Sequence, residues 1–198
     1  DTLDYVVANH AEQDHSGSLP RVLERFPGVR ILSTAKCRDM LCDLMPLSKE
    51  DFDTVDDGDV VDLGGRSLRF IHFPWVHWPE TMLTSCPEAK VLFPCDLFGS
   101  HLATNELVVA DPTELIPAAR LYYAQIMMPF RKQIARKMGA VEELDLDLIC
   151  PSHGPVHGNP AKILEAYRGW VGDEVRNTVV LPFISMHEST RMMVDYLI

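Results

Sequence analysis

The sequence predicts an α/β fold, because short apolar runs of strand type alternate with segments of helical periodicity. The run at residues 5–8 leads into a polar loop, and apolar residues then recur at helical spacing from about residue 19. The same order returns with a strand at residues 29–33 and a helix at residues 34–45, which Pro46 ends. Polar side chains of metal-binding type follow several of the strands, which is where α/β sheets place their chemistry.

The middle of the chain predicts hairpins followed by an ordered loop. Residues 52–73 contain Asp-Gly and Gly-Gly turns between β-like runs, and such turns are hairpin signals. Residues 74–80 are too rich in proline for a central strand, so we expect a loop there. Residues 90–93 predict a strand that runs into the segment 94–101.

The second half of the chain is predicted to be mostly helical. We expect two helices over residues 112–144 that meet near Pro129, a buried strand at 147–150 and a helix over 160–175. A domain boundary is expected near residues 176–177. Behind it we expect a strand at 178–184, a loop at 185–189 and a helix from residue 190 onward.

Charge and composition exclude some classes of partner. The chain has 198 residues and a formal net charge of -11, which argues against a nucleic-acid or anionic-membrane surface. No apolar run approaches the roughly 18 residues of a membrane span. The five cysteines are an odd number without a CxxC pair, which favours reduced thiols and a cytoplasmic location.

Both ends of the chain lead us to expect an internal piece of a longer protein. The sequence has no initiator Met and begins almost at once with a core-type strand. It stops at residues 196–198, inside an apolar helical pattern that has no cap.

The segment at residues 9–17 holds the densest group of metal-binding side chains. His10, Glu12, Asp14 and His15 lie within six residues, directly after a strand and close to a glycine. Alternate residues of such a loop can point at a common centre. We therefore expect His10, Glu12 and Asp14 to converge, with His15 coming from the next turn. An ordinary polar loop with surface histidines is the competing interpretation, and four potential ligands in six residues weigh against it.

Three further candidates lie on loops that follow apolar runs beside Pro or Gly, namely His77, Asp96 and His153. All seven candidates together offer four imidazoles and three carboxylates, too many for one zinc ion with about four ligands. They suit two metal ions that share a carboxylate, and mixed imidazole and carboxylate ligation favours iron or manganese. The charges agree, since two Fe(II), three carboxylates and one bridging hydroxide sum to zero.

These motifs resemble those of the flavodiiron proteins, also called A-type flavoproteins. The resemblance rests on HxExDH from His10 onward, the His-Trp-Pro loop from His77, Asp96 in CDLFG and His153 in PSHGP. It implies an α/β fold of two parts. The first is a metallo-β-lactamase-like αββα sandwich, truncated at its N-terminal strands, over residues 1–176. The second is the first β-loop-α of a flavodoxin-like FMN domain, over residues 177–198.

The resemblance also implies roles for individual residues. One iron takes His10, Glu12 and His77, the other takes Asp14, His15 and His153, and Asp96 bridges the two. His101 and Tyr123, or its neighbour Tyr122, resemble residues that line the family's substrate pocket. For the tyrosines, ordinary helix packing is an equally weighted alternative. Three histidines have no place in the family's ligand set: His72, His157 and His187.

The last segment resembles the first strand and the phosphate loop of the flavodoxin domain. Hydroxyl and backbone N–H groups at a helix N-terminus can bind a phosphate. The residues implied in binding FMN are Ser185, Met186, His187, Ser189 and Thr190. Two departures from the family lie here, Pro182 within the strand and Glu188 where glycine is usual. A third departure lies outside this segment: Glu80, in the loop that follows His77, stands where Asp is usual, and we expect it to lie away from the metals.

The resemblance implies a soluble reductase of O2, NO or both, in which a diiron site binds the diatomic and FMN supplies electrons. It implies a head-to-tail homodimer and a redox donor such as rubredoxin, a flavin reductase or a reduced deazaflavin. Two alternatives stay open, an oxygen-binding diiron sensor without turnover and a binuclear zinc hydrolase. The zinc hydrolases of the superfamily carry HxHxDH, so Glu12 favours iron redox chemistry over hydrolysis.

Overall fold

A computed structural model of the chain describes residues 2–109, 111–173, 181 and 183–198. In these residues the strands are β1 (Tyr5–Val7), β2 (Arg30–Ser33), β3 (Phe52–Thr54), β4 (Val60–Asp62), β5 (Ser67–His72), β6 (Met82–Cys86), β7 (Val91–Phe93), β8 (Val108–Val109), β9 (Leu148–Ile149) and β10 (Val156–His157). The helices are α1 (Gln13–Ser16), α2 (Leu19–Arg25), α3 (Ala35–Leu44), α4 (Pro112–Tyr122), α5 (Arg131–Glu142), α6 (Pro160–Val171) and α7 (Ser189–Leu197). None of these helices is both long and apolar enough to cross a membrane.

The strands form two sheets. In the first, β1, β2 and β3 lie side by side in that order and run parallel. The second has the order β4-β5-β6-β7-β9-β10-β8. Its strands β4 to β7 pair antiparallel, and β7 pairs parallel with β9. The carboxyl ends of β7 and β9 therefore lie at the same edge of this sheet.

Alternating side chains place the first sheet between two other layers. Ile31 of β2 packs in one cluster with Leu41 of α3. Leu32, the next residue, packs instead with Phe70 and Met82 of the second sheet. Because successive strand residues point to opposite faces, one face of the first sheet is covered by helices and the other by the second sheet.

The second sheet repeats this alternation. Its residues Ile71 and Leu83 adjoin Phe70 and Met82 in sequence and point to the far face, where they cluster with residues of α4, α5 and α6. The layers therefore run helix, sheet, sheet, helix, which confirms the predicted αββα arrangement.

Most of the predicted strands and helices are present with small shifts at their ends. The sequence patterns do not predict β6, because Thr, Ser and Cys interrupt its apolar character, although all five of its residues are buried. The strands β8 and β10 are two residues long, too short for a periodicity to register. The two helices expected around Pro129 are α4 and α5, with a π-helical turn (Tyr123–Met127) and a 3-10 turn (Met128–Phe130) between them.

The C-terminal predictions fall partly outside the described residues. Residues 174–180 and 182 are not described, and with them the expected boundary at 176–177 and most of the strand expected at 178–184. The described residues Leu181, Phe183 and Ile184 belong to no strand. The helix expected over 160–175 already ends at Val171. The helix expected from residue 190 is α7.

Candidate metal centre

The first four candidates follow β1 and are carried partly by a helical turn. His10 and Glu12 lie in the loop, whereas Asp14 and His15 belong to α1. The expectation that Asp14 continues an alternating loop is wrong, because the chain becomes helical directly after Glu12. The Ser16 hydroxyl stabilises this turn by donating to the carbonyl oxygen of Glu12 at 2.9 Å.

The other three candidates lie on loops that end strands of the second sheet. His77 lies between β5 and β6, Asp96 follows β7, and His153 follows β9. Cys95 adopts the left-handed conformation (φ 56°) and turns the chain out of β7. The carbonyl oxygen of His153 accepts the backbone N–H of Ser100 at 3.0 Å, which ties the last two loops together.

One carboxylate oxygen of Asp96 faces two of the histidines. Its Oδ2 lies 3.1 Å from Nε2 of His77 and 3.6 Å from Nε2 of His10. Oε2 of Glu12 lies 3.2 Å from the same His10 nitrogen and 3.4 Å from the same His77 nitrogen. We call the group formed by His10, Glu12, His77 and Oδ2 of Asp96 position 1.

The other oxygen of Asp96 faces the remaining two histidines. Its Oδ1 lies 3.0 Å from Nε2 of His15 and 3.1 Å from Nε2 of His153. Asp14 completes this group, with Oδ1 at 3.4 Å from His15 Nε2 and Oδ2 at 3.3 Å from His153 Nε2. We call this group position 2. The structure thus brings all seven candidates together, in the grouping that the resemblance implies.

The cluster fits two cations. Nε2 of His15 and Oδ1 of Asp96 are buried and have no hydrogen-bond partner among the described residues. Buried polar atoms are normally satisfied, and a shared cation would satisfy both. Two ligand atoms each about 2.1 Å from one metal ion, at roughly a right angle, are about 3 Å apart. The spacings in both positions match that value.

The charges of the cluster shift its pKa values. Burial raises the pKa of Asp96, but the adjacent imidazoles of His15 and His77 outweigh it and hold the pKa well below its usual range. Burial lowers the pKa of both histidines, and their contacts with Asp96 outweigh it, so both pKa values are raised. Asp96 therefore carries its negative charge and attracts cations to the centre.

Glu80 contacts a candidate ligand directly. Its Oε1 lies 2.7 Å from Nδ1 of His10 and accepts the backbone N–H of Ala11 at 2.9 Å. Burial raises the pKa of Glu80, but these two hydrogen bonds outweigh it and lower the pKa overall. The expectation that Glu80 lies away from the metals is wrong, because the loop that carries it passes beside the end of β1. The one sequence feature that points to this contact is the position of the Glu80 carboxylate, three residues after the candidate ligand His77.

Tyr122, rather than Tyr123, lies beside the cluster. The ring centroid of Tyr122 is 5.8 Å from that of His153 and 4.9 Å from that of His101. The hydroxyl of Tyr123 instead donates to the carbonyl oxygen of Trp170 at 3.1 Å. Successive helical residues point about 100° apart, so only one of the two tyrosines can face the centre. The pocket role expected for Tyr123 is therefore wrong, and this residue packs in the core.

Three of the four histidines outside the predicted ligand set, all except His101, make their contacts elsewhere or are exposed. Nε2 of His72 is 3.2 Å from the carbonyl oxygen of Val55, and Nε2 of His157 is 2.8 Å from that of Phe98. His187 is exposed in the loop before α7.

The segment expected to bind FMN precedes and opens α7. Ser189 and Thr190 form the first turn of this helix and are exposed. Glu188 has a left-handed backbone (φ 60°), which glycine adopts without strain and which fits the family's preference for glycine here. Nη1 of Arg191 lies 3.7 Å from the Glu188 carboxylate, so a positive charge stands beside the loop.

The fold and the cluster match a known family. The family model described as "ODP family beta lactamase" matches residues 1–154, and the chain belongs to this family. The matched segment runs from the start of the chain to the residue after His153, so it contains all seven candidate ligands.

Named relatives specify the resemblance further. The coenzyme F420H(2) oxidase of Methanothermobacter marburgensis is 39% identical over 198 residues, covering 96% of this chain and 49% of that protein. The nitric oxide reductase of Moorella thermoacetica is 36% identical over 196 residues, with the same 96% and 49% coverage. The crystal structure of the flavodiiron protein from Giardia intestinalis matches with a TM-score of 0.80 and 31% identity, over 85% of this chain and 42% of that one. These matches confirm the resemblance to flavodiiron proteins. The chain spans about half the length of the curated relatives it matches.

Proposed function

We propose that the protein is a flavodiiron oxidoreductase that reduces O2 to water, NO to N2O, or both, at two iron ions. The observation that carries this proposal is the division of the ligand set between the two oxygens of Asp96. Oδ2 belongs to position 1 and Oδ1 to position 2. A carboxylate shared in this way would be a ligand of both metal ions, which would supply the electrons that reduction of a diatomic gas requires.

The donor set favours iron over zinc. Each position offers two imidazoles, one carboxylate of its own and a share of Asp96. Glu12 supplies an oxygen where the zinc hydrolases have a histidine, and oxygen ligands favour the harder metals. When bound, the two irons supply the redox chemistry.

The residues of the chain shape the approach to the centre. The side chains of Glu12 and Asp14 are 41% and 50% exposed, whereas that of Asp96 is 2% exposed, so the cluster opens on the side of the first two. We assign to Tyr122 and His101 the lining of this approach. Burial raises the pKa of Tyr122 well above its usual range, so its phenol stays neutral and keeps an O–H that can donate a hydrogen bond near His153.

In the full-length protein we assign residues 1–176 to the metal domain and 177–198 to the start of a flavodoxin-like domain that holds FMN. The residues assigned to the FMN phosphate are Ser185, Met186, His187, Ser189 and Thr190. The exposed hydroxyls at the start of α7 and the charge of Arg191 beside Glu188 support this assignment. FMN would deliver electrons to the metal centre.

The electron donor and the assembly extend the same proposal. The relative named coenzyme F420H(2) oxidase supports a reduced deazaflavin as donor, with rubredoxin and a flavin reductase as the other candidates. A head-to-tail homodimer would bring the flavin of one subunit to the metal centre of the other. The five cysteines are all free, which fits a reducing, cytoplasmic setting.

The test is purification of the full-length protein under anaerobic conditions, followed by metal and flavin analysis and by O2 and NO consumption with a reducing partner. We expect two irons and one FMN per chain, and turnover with at least one gas. An oxygen-binding sensor would bind O2 without turnover, and a binuclear hydrolase would contain zinc. Either result would overturn the proposal.

A further inference from the structure

We propose that Glu80 is a positioning residue that makes position 1 the tighter of the two metal positions and the first to fill. The inference rests on the proposed function in one respect only, namely that the cluster binds two metal ions. It does not depend on which gas is reduced or on which donor supplies the electrons.

The carboxylate of Glu80 fixes the orientation of His10. Both side chains are fully buried, and Oε1 of Glu80 lies 2.7 Å from Nδ1 of His10. Because a carboxylate oxygen accepts, the proton of His10 resides on Nδ1 and the lone pair of Nε2 faces Glu12 and Asp96. A carboxylate in this role raises the basicity of a ligating imidazole and holds its ring in place.

The same oxygen of Glu80 also holds the backbone between two ligands. It accepts the N–H of Ala11 at 2.9 Å. Ala11 separates His10 from Glu12, so one carboxylate oxygen fixes the segment that carries two of the three side chains specific to position 1.

The loop that carries Glu80 adds two further supports. It provides the ligand His77 itself, and the ring of Trp78 stands edge-on to that of His10 at 5.0 Å and 90°. The hydroxyl of Thr34 donates to the backbone carbonyl of Glu80 at 3.1 Å, which anchors this loop to the start of α3. Position 1 is thus held by a continuous set of buried contacts.

Position 2 has no equivalent support in the described residues. The polar contacts of His15 and His153 there are all made through Nε2, and no carboxylate bonds their Nδ1 atoms. The side chains of His15 and His153 are 14% and 31% exposed, and that of His77 in position 1 is 17% exposed, so the difference between the positions rests on His10, which is 0% exposed. The two positions therefore differ in preorganisation although their ligand types are the same.

Glu80 also carries an unbalanced charge. Its Oε2 is buried and has no hydrogen-bond partner among the described residues. A buried carboxylate with an unpaired oxygen is costly, and a cation bound at His10 offsets that cost. This gives position 1 a second reason to bind its metal more tightly than position 2.

The test is titration of the metal-free full-length protein with Co(II), followed by calorimetry and by the visible absorption of the bound ion. The variants are Glu80→Gln and, as a control for net charge, Glu24→Gln, since Glu24 is exposed on α2. Glutamine keeps an oxygen that can accept from Ala11 and His10 but removes the charge. We expect the first equivalent to bind about 10- to 100-fold more weakly in Glu80→Gln, with the second equivalent unchanged and Glu24→Gln behaving like the wild type.

Three results would overturn the inference. If Glu80→Gln and the wild type bind the first equivalent with equal affinity, Glu80 has no role in position 1. The proposed diiron function would be unaffected by this result. Equal weakening of both equivalents, including that caused by a loss of fold, assigns Glu80 a general structural role. A wild-type protein that binds no Co(II) removes the metal centre and the proposed function with it. Glu80→Asp retains the charge, so we expect it to bind the first equivalent more tightly than Glu80→Gln does.

Discussion

His77 and Asp96 lie on loops at the ends of different strands, yet Nε2 of His77 is 3.1 Å from Oδ2 of Asp96. Asp96 is only 2% exposed, so the two side chains meet inside the protein. On its other oxygen Asp96 meets His15 and His153 in the same way. Both metal positions therefore depend on this one carboxylate.

Replacement of Asp96 by Asn should remove both metal ions. The amide takes one negative charge from a centre balanced for two Fe(II), and its nitrogen cannot serve as a ligand on one side. We expect iron content in Asp96→Asn to fall from two to less than one per chain, measured by elemental analysis after anaerobic purification. Asp43→Asn, on the exposed side of α3, should keep both irons. Retention of two irons in Asp96→Asn would mean that Asp96 is not the bridge.

Replacement of Glu12 by His should change the metal that is bound. The change creates the HxHxDH pattern of the zinc hydrolases. It also removes a hard ligand from position 1, where Oε2 of Glu12 lies 3.4 Å from Nε2 of His77. Zinc already has the higher intrinsic affinity for such sites. We expect the zinc-to-iron ratio of Glu12→His to rise and O2 or NO consumption to fall severely. Unchanged iron content with near-normal turnover would contradict a role for Glu12 in metal selection.

Replacement of Gly154 by Ala should disturb position 2 through the backbone. A Cβ at this residue would lie 2.1 Å from the Ser100 hydroxyl oxygen and 2.8 Å from its carbonyl oxygen, and the φ of +81° is strained for alanine. The collision displaces the loop of the neighbouring ligand His153. We expect Gly154→Ala to lower the free energy of unfolding by about 2–3 kcal/mol and to weaken the second metal equivalent.

The matched control for this change is Gly64→Ala. Gly64 has a nearly identical φ of +79°, but a Cβ there would meet nothing within 4 Å. It isolates the backbone strain, for which we expect a loss of about 1 kcal/mol and normal metal binding. Urea denaturation at a fixed metal concentration measures both losses, and equal losses in the two variants would argue against the collision with Ser100.

Removal of the Tyr123 hydroxyl should lower stability, whereas removal of the Tyr122 hydroxyl should slow turnover. The Tyr123 hydroxyl donates to the carbonyl oxygen of Trp170, so Tyr123→Phe removes this hydrogen bond. We expect a loss of about 1 kcal/mol in stability with unchanged iron content and turnover. Tyr122→Phe should slow turnover at unchanged stability, because it removes a hydrogen-bond donor near His153. The reverse pattern would restore the pocket role to Tyr123.

The seven candidates of the metal centre could be predicted from sequence because each follows a strand within a recognisable motif. The roles of the residues around these ligands could not be predicted. Whether Tyr122 or Tyr123 faces the centre depends on the rotation of α4 against the sheet, which two adjacent tyrosines do not reveal. Glu80 was misplaced because its contact with His10 spans 70 residues of sequence and local patterns contain no such information.

The same limit applies to the fold. Helix α3 was predictable because Thr34 caps it and Pro46 stops it. The strand β6 was missed, since its burial on both faces comes from the strands and layers around it and its own residues give no alternation. The turn α1 was missed because a four-residue helix is too short to establish a period.

The order of the ligands along the chain determines when each position can form during synthesis. All the side chains of position 1 are present once Asp96 has been made. The ligand set of position 2 is complete only after His153 has been made, and His153 follows α4 and α5. At about 5–20 residues per second, the growing chain presents the complete ligand set of position 1 several seconds before that of position 2. The ligand side chains of position 1 are therefore available to a metal ion before those of position 2 have been made.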